Sequence, residues 1–149
     1  MLVDSHCHLD RLKLEKLENP HLDQVIADAL EAGVDHMLCV GIDKNNADAV
    51  KSIAKQYDNV YASVGVHPLD VENMMTSEEL IAAADHHKVV AIGETGLDYY
   101  YSKDSMSVQL ESLQMHLQVA KQLELPTIIH TREAQDHTCL LYTSDAADE

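Results

Sequence analysis

The sequence predicts an α/β protein built from repeated βα units with parallel strands. Apolar runs of strand length alternate along the chain with segments of helical period. There are five such runs, and their C-terminal ends collect histidine and glutamate, in the place where parallel α/β folds assemble their sites. Five strands fit either an open doubly wound sheet or an unfinished barrel.

The elements follow in order. MLVDSH supplies a first strand over residues 2–6. In HLDQVIADALEAG, Leu22, Val25, Ile26 and Leu30 fall on one helical face, and Gly33 gives the stop. VDHMLCVG is short and apolar, a strand over 35–40 closed by Gly41. KNNADAVKSIAKQY turns Ala47, Val50, Ile53 and Ala54 inward, and NVYASVGV gives the strand 60–66. TSEELIAAADHH opens with a capping signature, Thr76 or Ser77 ahead of Glu78 and Glu79, and leads into the strand 89–93 of KVVAIGE. The longer helix DSMSVQLESLQMHLQVAKQLEL then precedes PTIIH, a strand over 127–130.

A chain of 149 residues holds one domain with a real core. Its start has no basic segment followed by an apolar one, and no apolar run approaches the roughly 20 residues of a membrane span, so a cytoplasmic protein with no membrane partner is expected. Three cysteines without C-x-x-C spacing point to reduced thiols and away from a structural zinc site. The net charge of −16 argues against an extended basic surface that grips duplex DNA. A bound divalent cation reverses that sign locally, so the global charge weighs little against a phosphate-binding site.

DSHCHLD carries the first chemistry. On an extended segment, side chains two residues apart share a face, so His6 and His8 can converge on one object while Cys7 points the other way. Paired neutral imidazoles suit a divalent metal; two surface histidines are the alternative. His130 ends the fifth strand and gains weight from His6 and His8. Glu94 sits between two glycines at the fourth strand's tip, where a carboxylate bridging two ions would explain its place better than an ordinary loop acid. His67, in V-G-V-H-P, is as consistent with a hydrogen-bonded strand-end residue as with a substrate contact. Arg132 is a charged donor fork suited to phosphate, or a solvated surface group. Tyr99, Tyr100 and Tyr101, after Asp98, could line a cleft or anchor the core. His21, His36, His86, His87, His116 and His137 are given no chemistry. There is no P-loop, G-x-G-x-x-G or G-x-S-x-G.

In this order and spacing, DSHCHLD, GVHP, GETGLDYY and IIHTRE closely resemble the TatD family of metal-dependent hydrolases, from Met1 to about His137. The resemblance implies a (β/α)8 TIM barrel truncated here after about five βα units, and deoxyribonuclease activity. It implies His6, His8 and His130 as metal ligands with Glu94 bridging, for one or two divalent ions (Zn, Mn, Mg or Co). Glu94, His67 and Arg132 become the catalytic or substrate-contacting set. DNA, single-stranded or at 3′ ends, or another phosphodiester is the implied partner, and the complete enzyme is expected to be a monomer. A histidine after a sixth strand and an aspartate after an eighth, also implied, have no counterpart in this chain.

The last eleven residues, CLLYTSDAADE, do not look like the helix expected after IIHTRE. Read back into codons they resemble a sequencing-library transposase adapter. The expectation is therefore a native portion over 1–138, a non-native tail over 139–149, and an incomplete, inactive fragment of a hydrolase that cleaves phosphodiesters with metal-activated water. Two alternatives stand beside it: a metal-dependent ester or amide hydrolase such as a D-aminoacyl-tRNA deacylase, and a noncatalytic metal-binding protein.

Overall fold

The computed structural model describes residues 1–16, 18 and 21–145. Five strands, β1 (Leu2–Cys7), β2 (Val34–Cys39), β3 (Val60–Val64), β4 (Val89–Asp98) and β5 (Thr127–Arg132), alternate with helices α1 (Leu22–Glu31), α2 (Ala47–Gln56), α3 (Ser77–Ala84), α4 (Met106–Leu123) and α5 (Gln135–Asp145). All neighbouring strands are parallel, in the order β1-β2-β3-β4-β5. That order decides between the two architectures left open by the sequence. A doubly wound sheet reverses its strand order at a switch point. Five strands laid down sequentially through right-handed crossovers keep every helix on one face, which is the winding of a barrel.

The core lies between sheet and helices. Val60, Ala62 and Val64 of β3 are fully buried, as are Val50 and Ala54 of α2 and Leu80 of α3. The capping signature resolves to Thr76 as N-cap: its hydroxyl accepts from the Glu79 N–H, and the Glu79 carboxylate accepts from the Thr76 N–H. Gln109 and His116 of α4 are buried against the sheet and carry hydrogen bonds described below.

Three expectations are corrected. Leu30 does not face the core but is 47% exposed, and the β1 residues Leu2 and Val3 are exposed too, because α1 and β1 form the open edge of the sheet and nothing among the described residues packs beyond them. β4 does not stop at residue 93. It runs to Asp98, and its register against β5 shifts between Ile92 and Thr95, where Gly93 (φ 134°) and Gly96 (φ 143°) adopt a backbone that other residues rarely reach. Glu94 therefore projects from within a strand. The third correction concerns the C-terminus, where α5 continues from Gln135 across position 139 to Asp145, with Leu141 packed against Leu97, Leu113 and Ala134. Residues 146–149 of the expected tail lie outside the described ones.

Candidate metal centre

Backbone hydrogen bonds at the C-terminal strand ends lash the site together. The Val40 N–H donates to the Cys7 carbonyl, the Glu94 N–H to Gly41, and the His67 N–H to Ile42, at 2.8, 2.7 and 2.8 Å. Tips that are 25 to 53 residues apart in sequence are thereby fixed to one another, and the side chains they carry converge.

Two overlapping groups result: His6, His8 and Glu94, and His67, Glu94 and His130, each with donor atoms within 4.8 Å of one another. Glu94 is common to both. Its Oε2 lies 3.3 Å from His6 Nε2 and its Oε1 3.3 Å from His130 Nδ1. The His6 and His8 rings meet edge to face at 5.2 Å. Cys7 turns away as expected: its thiol donates to the Leu38 carbonyl, and burial pushes its pKa up to about 12, with the charge of Asp4 adding to the effect. A thiolate ligand is thus disfavoured.

The hydrogen bonds assign the tautomers. His8 Nδ1 faces the Val40 carbonyl at 3.2 Å, so Nδ1 carries the proton and Nε2 keeps its lone pair. His130 Nε2 faces Asp98 Oδ2 at 3.1 Å, and a neutral ring with its proton there presents Nδ1 as an acceptor toward Glu94. In that tautomer imidazole Nδ1 and carboxylate Oε1 lie 3.3 Å apart as two acceptors, with His67 Nε2 3.2 Å from the same Nδ1. A cation between them satisfies both, and the mix of imidazole and carboxylate suits Zn, Mn or Co as well as harder ions. The residues therefore fit a divalent metal.

His67 is arranged differently. Its Nδ1 accepts from the Leu69 N–H at 3.2 Å, so the neutral ring carries its proton on Nε2, which lies 3.2 Å from His130 Nδ1. Burial, reinforced by the neighbouring His130, lowers the His67 pKa and keeps the ring neutral at pH 7. A neutral ring with Nε2–H is a hydrogen-bond donor aimed into the site. Arg132 does not point into either group; its guanidinium lies over the rings of Tyr100 and Tyr101, 5.1 and 4.8 Å from their centres.

Three contributors were not visible in the sequence. Asp98 is 1% exposed and spends one oxygen on His130, while the other accepts from the Tyr100 and Tyr101 N–H groups. Burial alone would raise its pKa, but the Tyr101 N–H and His130 outweigh it and hold the carboxyl below its ordinary value. Gln109 brackets Asp98, accepting from its N–H and donating to its carbonyl and to Ser102. His116 accepts the Val66 N–H at Nε2, next to His67, and donates from Nδ1 to the Ser112 carbonyl. A mid-helix Gln or His has no sequence signal that distinguishes such a role.

Residues 3–149 match the family described as TatD-related DNase. The chain belongs to that family. Among TatD-type relatives it is 41% identical over 137 residues to an uncharacterized metal-dependent hydrolase of Escherichia coli K12, YcfH, covering 92% of this chain and 51% of that protein. It is 34% identical over 121 residues to the 3′-5′ ssDNA/RNA exonuclease TatD of Salmonella typhimurium, covering 80% of this chain and 46% of that protein. The crystal structure of the E. coli TatD homologue YjjV superposes with a TM-score of 0.81 at 30% identity, over 93% of this chain and 54% of that one. The chain thus spans about half the length of the curated relatives it matches, and its five βα units correspond to a part-built TatD barrel.

Proposed function

We propose that the complete protein is a metal-dependent hydrolase of single-stranded nucleic acid, most specifically a deoxyribonuclease, and that this chain carries its metal-holding half. The observation that carries the reading is Glu94, one carboxylate with an oxygen in each of two histidine groups. His6 and His8 would serve one ion, His130 the other, and Glu94 both. Such ions polarise a phosphoryl or carbonyl oxygen and lower the pKa of an attacking water. His67 supplies its Nε2–H to an oxygen of the bound ester, and Arg132 stands at the rim as a cationic contact. No carboxylate beyond Glu94 joins either group among the described residues, so the general base for the attacking water is not in this set. This supports an inactive fragment.

The nucleic-acid preference rests on the Salmonella relative's name. Cytoplasmic residence and a monomeric complete enzyme belong to the same reading. Residues 139–149 remain our proposed non-native tail; because α5 crosses position 139, the DNA sequence across codon 138 is what tests it.

The functional test pairs the 149-residue chain with full-length YcfH. The expected result is chelator-sensitive cleavage of a single-stranded oligonucleotide by YcfH, and divalent-metal binding without turnover by the chain. Turnover of aminoacyl esters in place of phosphodiesters, or a chain that holds no metal, would overturn the reading.

A further inference from the structure

We propose that Tyr100 and Tyr101 form a stacking platform for an unpaired nucleobase next to the phosphodiester held at Glu94 and His130; the proposal rests on the nucleic-acid reading of that site. Tyr99, Tyr100 and Tyr101 behave in two ways. Tyr99 turns inward, packs against the cluster of Leu97, Leu113 and Ala134, and places its hydroxyl 2.8 Å from His137 Nδ1. Tyr100 and Tyr101 are 57% and 64% exposed. Arg132 covers part of both rings, and the rest of each faces solvent.

Their geometry shows what fits. The rings meet at 4.6 Å with planes 86° apart, so the pair makes a right-angled notch with the face of one ring beside the edge of the other. A flat π-system can lie on one ring with its rim against the other. The Arg132 guanidinium touches both rings, adding a fixed positive charge that can stay stacked while its N–H fork meets a phosphate. A planar ring joined to an anionic backbone is the chemistry of a nucleotide.

The platform is also tied to the site. Asp98 Oδ1 accepts from the N–H groups of Tyr100 and Tyr101 at 3.0 and 2.8 Å, and Asp98 Oδ2 faces His130 at 3.1 Å. One buried carboxylate fixes the notch relative to a candidate ligand, so a base seated on it sets where the adjoining phosphate lies. The net charge of −16 gives the rest of the surface little to hold a polyanion with, which leaves stacking and Arg132 as the local source of affinity. Stacking on tyrosine is tolerant of base identity, so recognition here is of an unpaired base, with purines favoured by their larger area.

The test is anisotropy of a fluorescein-labelled oligodeoxyadenylate with a hydrolysis-resistant phosphorothioate backbone, mixed with the 149-residue chain and Mn²⁺. An abasic oligomer of the same length and backbone is the control. Y100A and Y101A should each weaken binding at least about 5-fold, the lower end of the range for loss of one stacked base, whereas Y100F and Y101F should keep it. The abasic oligomer should bind weakly to the parent and all four variants alike. Alanine variants within about twofold of the parent, equal binding of the abasic oligomer, or no base-dependent binding at all would each overturn the platform. If YcfH cleaves only esters while base-dependent binding persists here, the nuclease reading fails and the platform stands. If cleavage is found and binding ignores the tyrosines, the reverse holds.

Discussion

Asp98 Oδ2 lies 3.1 Å from His130 Nε2, and this buried carboxylate turns the other nitrogen of His130 toward Glu94. Outer partners of this kind fix ring orientation and tautomer, and removing one costs roughly 10- to 100-fold in metal affinity. Asp98→Asn keeps an oxygen for the Tyr100 and Tyr101 N–H groups but can present an NH₂ to His130. The expected outcome is metal binding weakened about 10-fold or more with the fold retained, read by competition against a chromogenic chelator.

Gln109→Leu tests the support behind Asp98. It strips partners from the Asp98 N–H and carbonyl, both within a buried strand. With each orphaned buried group costing about 1–3 kcal/mol, the loss of stability should be on the order of 2–6 kcal/mol, seen as a lower urea midpoint.

Gly96→Ala would set a Cβ 2.0 Å from the His130 carbonyl oxygen at a φ of 143°. Neither backbone can yield without breaking the β4–β5 ladder that carries His130. Destabilisation on the order of 3 kcal/mol is expected, together with loss of metal binding, because the strain falls on the strand that presents the proposed ligand His130. Unchanged metal affinity in a folded Gly96→Ala protein would contradict the placement of His130 in the site.

His116 makes stability depend on pH. Burial lowers its pKa from 6.5 to about 4. Below pH 6.5 the unfolded chain takes up a proton that the folded one refuses, so this residue's contribution is intact at neutral pH. It is lost as the pH falls from 6.5 toward 4. The loss from this residue between pH 7.5 and pH 5 should be about 2 kcal/mol. Urea titrations at the two pH values should show it, and His116→Gln should flatten the difference.

What the sequence disclosed and what it hid divide along a physical line. His6, His8, Glu94 and His130 stood out because each sits at the same point of a repeating unit, and the repeat is written in apolar periodicity. His67 was legible as a site residue, but its role as a donor turns on the Leu69 N–H at its Nδ1, a contact that no spacing announces. Asp98, Gln109 and His116 act through partners 11 to 50 residues away, several of them backbone atoms. The end of β4 was misplaced because G-E-T-G reads as loop chemistry, whereas its glycines let β4 pass against its neighbours: a Cβ on Gly93 would lie 2.6 Å from the Ile128 carbonyl oxygen. Leu30 was misplaced because helical period states which face is apolar and says nothing about whether another element covers it.

The strand order β1-β2-β3-β4-β5 has a consequence for the birth of the molecule. Each strand docks only on the one made just before it, so every βα unit can settle as it leaves the ribosome, with no strand waiting for a distant partner. The prospective ligands arrive on the same schedule: His6 and His8 first, Glu94 after three units are in place, His130 last. Metal capture by these residues would therefore be timed to the end of this stretch of synthesis, and the ion would report that the five units have assembled in register.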